Sequence, residues 1–358
     1  MEAKGMFNVA RKESIGHLTS KKFIVILGLF LIISVLAMHQ GISYYNQQLD
    51  TYKEQLSQIK DMEGLVGYMP EKPSIMLVFM FMSSYIMMLG AILAIAMGFD
   101  LVSKEKETKS LKSLLSCPVF RDAIINGKAL GGTLALVFAM VTALLISLAV
   151  LLIFSIVPSM NELAAILVFG IVSIVFLLAY FAIALMMSTV SSDSGSALIC
   201  TLVIFFILGS LLPIVGSTLA GIVAGEPPEP PTVEIRDETN ESGPIYKEVG
   251  EEEMRQYQEE LREWSEKRKP ITEAFNIISP NMNYQKIVFL ITNPQIYSAV
   301  YEQSTPASGS MTINYGGEVA PGLLEVLEKV WKNILALTSF SVAFFAIAYI
   351  RFMRMDIR

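Results

Sequence analysis

Long apolar runs alternate with shorter polar stretches along the chain, the runs falling at residues 23–38, 75–99, 129–157, 163–187, 197–224 and 334–350. A helix needs about 20 apolar residues to cross a hydrocarbon core of about 30 Å, because each residue rises about 1.5 Å and lipid offers backbone polar groups no partner. Six spans are therefore predicted, and the chain reads as an all-α integral membrane protein. The first run is short and follows basic residues, as in a cleaved leader, but HQGISYY after Met38 holds no small-residue cleavage site, so it is read as a retained span. Gly209, Pro213 and Gly216 interrupt the fifth run, so that 211–224 bends or re-enters near the outer surface. Backbone that leaves the helix at that depth must be buried or line a wet cavity, which makes these three residues a candidate outer gate. A harmless proline kink fits the same letters.

The polar stretches carry helical patterns of their own. Before the first span, Phe7, Ala10, Ile15 and Leu18 gather on one side of a helix in 1–22, with Arg11, Lys12, Lys21 and Lys22 placed to reach lipid phosphates. In 39–74, Tyr45, Leu49, Tyr52, Leu56 and Ile59 make a helical seam. Beyond a Pro-rich acidic linker, Met254, Tyr257, Leu261 and Trp264 make a second one, supported by Glu263 and Lys267 at i,i+4 and ended by Pro270. The two seams either pack together, within a chain or across a dimer, or rest on other parts of the same small domain. The apolar stretch 277–300 is broken by Pro280 and Pro294 and reads as short helices at the outer membrane surface.

Composition agrees with the pattern: 53% of the 358 residues are hydrophobic, 17% are charged and the mean hydropathy is +0.53. Lys and Arg then fix a direction, because basic residues close to span ends stay cytoplasmic. With the N-terminus inside, inner segments hold 14 of the 27 basic residues, against three in the first outer loop. Both termini are thus expected in the cytoplasm, with 100–128 an inner segment, 351–358 an inner tail, and 225–333 an extracytoplasmic insertion between spans five and six. The net charge of −6 comes from that insertion and points away from nucleic acid. Cys117 and Cys200 fall in the inner segment and a span, so no outer disulfide is expected within the chain.

Several chemistries are missing. The sequence has no GxxxxGK[ST], HExxH, CxxC or GxSxG, so neither nucleotide binding through a P-loop nor a metal or triad site is expected, and the chain does not read as an enzyme. The span interiors carry no Asp, Glu, Lys, Arg or His, which disfavours a proton-coupled carrier. Ser83, Ser84, Tyr85, Thr142, Ser147 and Tyr180 are read as helix-packing residues, and the methionines of the second span as adaptable filling.

The inner segment LVSKEKETKSLKSLLSCPVFRDAIINGK stands apart. Leu111, Leu114 and Leu115 form an i,i+3,i+4 stripe suited to a shallow groove, and Pro118 turns the chain into a second helix that runs through Arg121 into span three. Glu105, Glu107, Leu111, Leu114, Leu115, Ser116, Pro118, Val119, Arg121, Ile124, Ile125, Gly127 and Lys128 resemble the inner signature of the type-2 ABC export permeases, E(K/R)ExGTLxxLLSxPVxRxxIIxGK. Lys109 and Ser110 replace that signature's Gly-Thr pair. The number of spans, the amphipathic leading helix and the outer insertion are also similar to that family.

The resemblance implies a cell-membrane permease subunit that joins a second permease unit, identical or paired, and two copies of a separate ATPase. ATP is then bound by the partner, and this chain has no cofactor of its own. Glu105, Glu107, Leu111, Leu114, Leu115, Pro118, Arg121, Gly127 and Lys128 are the expected ATPase-coupling residues, with 188–196 a lesser contact. Two alternatives stand beside this reading. One is a non-transporting membrane anchor or assembly scaffold with an extracytoplasmic binding domain; the other, disfavoured by the uncharged spans, is an ion-coupled carrier.

Overall fold

The computed structural model describes residues 2–61, 72–110, 120–231, 235–236, 245–246, 251–293 and 322–355. Six helices in it are long and apolar enough to cross a membrane. Helix α1 (Glu2–Leu18) leads into α2 (Lys21–Asp61). The second span is α3 (Met76–Tyr85), a π turn at Ile86–Gly90 and α4 (Ala91–Gly98), followed by the short α5 (Ser103–Glu107). Helices α6 (Arg121–Ile153) and α7 (Met160–Val190) are spans three and four. Span five is α8 (Ser194–Phe206), a π turn at Ile207–Leu211 and α9 (Leu212–Ala224). Helices α10 (Glu251–Ile277) and α11 (Pro280–Thr292) precede α12 (Leu323–Met353), the last span. A two-residue antiparallel pairing of Ile235–Arg236 (β1) with Ile245–Tyr246 (β2) is the strand structure among the described residues.

The chain divides into two compact units, 1–205 with 283–358, and 206–282. In the first unit α7 is the central helix. Phe169, Phe176, Leu177, Tyr180 and Ile183 are buried along it, as are Phe79, Met82 and Leu93 of the second span and Leu136 and Met140 of α6, and the Phe79 and Phe169 rings meet edge to face at 5.5 Å. The same spans keep large apolar side chains exposed on their other faces, such as Ile32 and Leu36 on α2 or Leu134 and Leu145 on α6. That surface is stable where lipid, not water, surrounds it. Both chain ends lie at one end of this bundle, since Arg121 donates to the carbonyls of Met353 and Met355, and Lys128 pairs with Glu13. At the opposite end Ser159 and Glu162 form a capping box on α7, and Glu162 also accepts from the N–H of Ile75.

Four elements depart from the sequence expectation. First, the helix of the opening span does not end near Met38: α2 runs for 41 residues and takes in the seam, along which Tyr45 is buried and Tyr52 and Leu56 are less exposed than their neighbours. Gly41 sits where α2 meets Val78, and a Cβ there would stand 2.7 Å from the Val78 carbonyl oxygen. Second, α10 continues through Pro270 to Ile277, and the Thr272 hydroxyl donates to the carbonyls of Arg268 and Lys269 beside the proline. The ion pair on α10 is Arg262 with Glu266, not Glu263 with Lys267.

Third, α11 is no surface helix. Tyr284, Ile287, Val288 and Ile291 are buried along one stripe, Tyr284 stacks on Phe176 and shares a 2.8 Å hydrogen bond with Ser173, and Asn333 donates to Asn283 at 2.7 Å. Ser173 lies about 20 Å along α7 from Met160, so α11 enters well into the bundle.

Fourth, the fifth span is not broken. In the second unit Gly209 lies inside the π turn, Pro213 follows that turn directly as the second residue of α9, and the helix reaches Ala224. Helix α10 runs antiparallel to α9: the Trp264 indole N–H donates to the Gly225 carbonyl at 3.0 Å, and a Cβ at Gly216 would stand 2.5 Å from the Cβ of Phe275. Gly216 is thus a close-packing position between two helices rather than a break.

Candidate functional site

The inner segment is built around α5. Successive residues of a helix project about 100° apart, so Glu105, Lys106 and Glu107 leave it in three directions. Glu105 accepts from Lys128 at 2.7 Å. Lys106 Nζ donates to the carbonyls of Thr189 at 2.6 Å and Ser191 at 2.9 Å, with Ser188 O at 3.5 Å. These belong to the last turn of α7 and its cap residue Ser191, where carbonyls lack helical partners and the dipole favours a cation. Glu107 accepts from the N–H and hydroxyl of Ser194 at 3.3 and 3.0 Å, at the start of α8, where a carboxylate is favoured. Asp193 also serves that end, and the hydrogen bond from Ser196 N–H, with a second from its hydroxyl, holds the Asp193 carboxyl below the usual carboxylate range.

Ser188 completes the exchange. Its Oγ accepts from the backbone N–H groups of Val102 and Ser103 at 2.9 and 3.0 Å, the donors that open α5. Immediately after α5, Lys109 takes a φ of 58°, a left-handed conformation that suits glycine. This is the position at which the permease signature has its glycine.

Lys128 is the second node. Its side chain is 3% exposed and sits between Glu13 of α1 at 2.8 Å and Glu105 at 2.7 Å. Helix α1 comes this close because Gly127 and Gly131 lie one turn apart on α6. A Cβ at Gly127 would be 2.7 Å from Val9 Cβ, and one at Gly131 would be 2.6 Å from Glu13 Cβ. The face of α1 turned to α6 therefore carries Ala10, Glu13, Ser14 and His17, with Ser14 donating to the Gly131 carbonyl. Phe7 and Ile15, expected on the same side as Ala10, are exposed. The packed face sets Val9 over Gly127 and Ala10, Glu13 and Ser14 around Gly131, because the two glycines let the α1 backbone come close.

Two atoms near Lys128 have no hydrogen-bond partner among the described residues although buried, His17 Nε2 and Glu105 Oε2. Burial pushes the His17 imidazole below its ordinary 6.5, against the pull of Glu13 and Asp100 and with the help of Lys22 and Lys128. Lys22 in turn pairs with Asp100 at 3.1 Å and stands over the Phe99 ring. Segment 100–128 is thereby tied to α1, α2, α7, α8 and, through Arg121, α12.

A family model described as ABC-2 family transporter protein matches residues 7–357. The chain belongs to that family. No curated protein matches it closely. With six apolar helices, this ABC-2 transporter protein is a multi-pass protein of the cell membrane.

Of the residues expected to couple this ABC-2 protein to an ATPase, the structure gathers Glu105, Glu107, Arg121, Gly127 and Lys128 at one end of the bundle, each engaged within the chain. Leu111, Leu114, Leu115 and Pro118 fall in 111–119, outside the described residues. Gly209, Pro213 and Gly216 lie in a continuous helix. Glu13 and Lys106 escaped sequence reasoning, Ser188 and Ser194 were reached only as part of the lesser contact 188–196, and the partners of all four lie between 82 and 115 residues away. The one local signal was the EKE triplet itself, whose middle residue must point away from both neighbours.

Proposed function

We propose that this chain is the permease subunit of an ATP-driven exporter, passing the work of a separate ABC ATPase to the membrane spans. In this reading the end that carries both termini is cytoplasmic, two permease units assemble, and the ATPase docks on 101–128 through Leu111, Leu114 and Leu115. The observation that carries it is the set of ties from 100–128 to five helices, because a docking segment can move a membrane domain only if the spans are fastened to it. Family membership supports the same assembly, as ABC-2 permeases generally pair with an ABC ATPase.

The test is co-expression with a candidate ATPase and purification through a tag on this chain. The wild type retains the ATPase, whereas Leu111→Asp and Leu115→Asp release it or silence its turnover while inserting normally into the membrane. Retention and full turnover in both variants would rule out docking on this stripe.

A further inference from the structure

We propose that α5 and the turn at 188–194 move as one body, held by Lys106, Ser188 and Glu107, and that this body carries the ATPase stroke directly into spans four and five. The inference rests on the permease reading and adds to it a route.

A helix of five residues has no stability of its own, since nucleation fixes several residues for a single hydrogen bond. Its shape is therefore borrowed from what it touches. The N–H groups that open α5 are taken by Ser188 of α7, and the carbonyls that close α7 are taken by Lys106 of α5. Each helix caps the other, so neither end is complete without its counterpart. Glu107 extends the contact to Ser194 and the start of α8. The bonds to Lys106 and Glu107 are charge-assisted, the stronger kind. Val102, Ser103, Ser188 and Thr189 are buried, so water does not compete for the bonds at the centre.

The consequence is a division of labour at this end. Along the chain, a push on the docking segment reaches α4 on one side and α6 on the other. Through the clasp it reaches α7 and α8 as well, more than 80 residues away in sequence. The second loop is then not a separate foot on the ATPase but part of the first, and Lys106 is a positioning residue that acts through α7.

The test uses the complex with its ATPase and a disulfide in place of the clasp. Ser103 and Ser188 are suited to it, their Oγ atoms lying 3.2 Å apart. In a background of Cys117→Ser and Cys200→Ala, the pair Ser103→Cys with Ser188→Cys is compared reduced and oxidised. Reduced, it lacks the Ser188 acceptor and its ATP turnover falls several-fold; oxidised, the two loops are locked again and turnover recovers. Arrest on oxidation, reversed by dithiothreitol, would mean that the loops must part in the cycle and would overturn the proposal. Oxidation that leaves turnover at its reduced level would do the same.

A second arm replaces Lys106. Lys106→Met lowers maximal ATP turnover several-fold with the KM for ATP unchanged, and Lys106→Arg, which keeps the donors, restores it. Wild-type turnover in Lys106→Met would also overturn the clasp. Failure of the wild-type chain to retain an ATPase at all is a different result, and it removes the permease reading on which both arms depend.

Discussion

Lys128 is a buried cation between two carboxylates, and its neighbours depend on its charge. Lys128→Met leaves Glu13 and Glu105 facing each other with most of their surface out of water, and breaking a buried pair in this way costs about 3 kcal/mol. The expected result is a lower melting temperature of the purified protein, partly recovered by adding Glu105→Gln. Lys109 offers the opposite case. The left-handed backbone there costs a non-glycine residue roughly 1–2 kcal/mol, part of which glycine returns through its freer unfolded chain, so Lys109→Gly should stabilise by about 0.5–1 kcal/mol. A melting temperature no higher than wild type would show that strain is absent. The sequence picked out both residues through the signature, and even marked Lys109 as its odd position. What it did not carry was Glu13, whose pairing with Lys128 spans 115 residues and has no local periodicity.

His17 gives this end a pH dependence whose sign can be worked out. Its folded pKa lies below the ordinary 6.5, so the unfolded chain binds the proton more readily and stability rises with pH in that interval. The contribution is complete above about 6.5 and is lost as pH falls from there through the folded value. Thermal melting followed from pH 7.5 to 5 should therefore show a decline that His17→Asn makes shallower. Equal slopes in the two proteins would assign the acid sensitivity to other groups.

Among elements, α1 is the one whose placement depends most on what is absent. Gly131→Leu puts a branched side chain where Glu13 now packs, and α1 must lift from α6. Limited proteolysis or hydrogen exchange should find 2–18 newly accessible while spans stay protected; an unaltered α1 would mean that the crossing tolerates more distance than its geometry implies. Element type was legible for every span, since apolar length alone decides it. Element ends were not. The continuation of α2 past Met38, and of α10 past Pro270, depends on packing against other helices, such as α2 on Val78 and α10 on α9, which no window of sequence records. The seam at Tyr45, Leu49, Tyr52 and Leu56 was the legible part of the longer α2. The fifth span shows the converse: Gly209 and Pro213 carry breaker letters, yet the helix passes both by way of a π turn.

At the scale of the molecule, six spans place both termini at one end of the bundle, and the proposed function puts that end in the cytoplasm, as the count of basic residues expects. An alkaline phosphatase fused after residue 358 should be inactive and one inserted between 237 and 244 active, in a host where the enzyme matures only outside the cytoplasm. The reverse pattern would invert the topology and remove the docking segment from reach of any ATPase. The sequence could number the spans because each crosses alone; it could not show that α7 is central or that α11 enters the bundle, because burial is decided by partners.

Helix α2 begins beside the Lys22–Asp100 pair and runs for 41 residues without interruption, about 60 Å, roughly twice the hydrocarbon thickness. It is a lever held at its start among the charged ties, with its free length running to Asp61. A tilt of about 5° about the charged end, small enough for side chains to follow without repacking, sweeps the far tip through about 5 Å. Motion too small to disturb the ties at Lys22 is thus enlarged at Asp61.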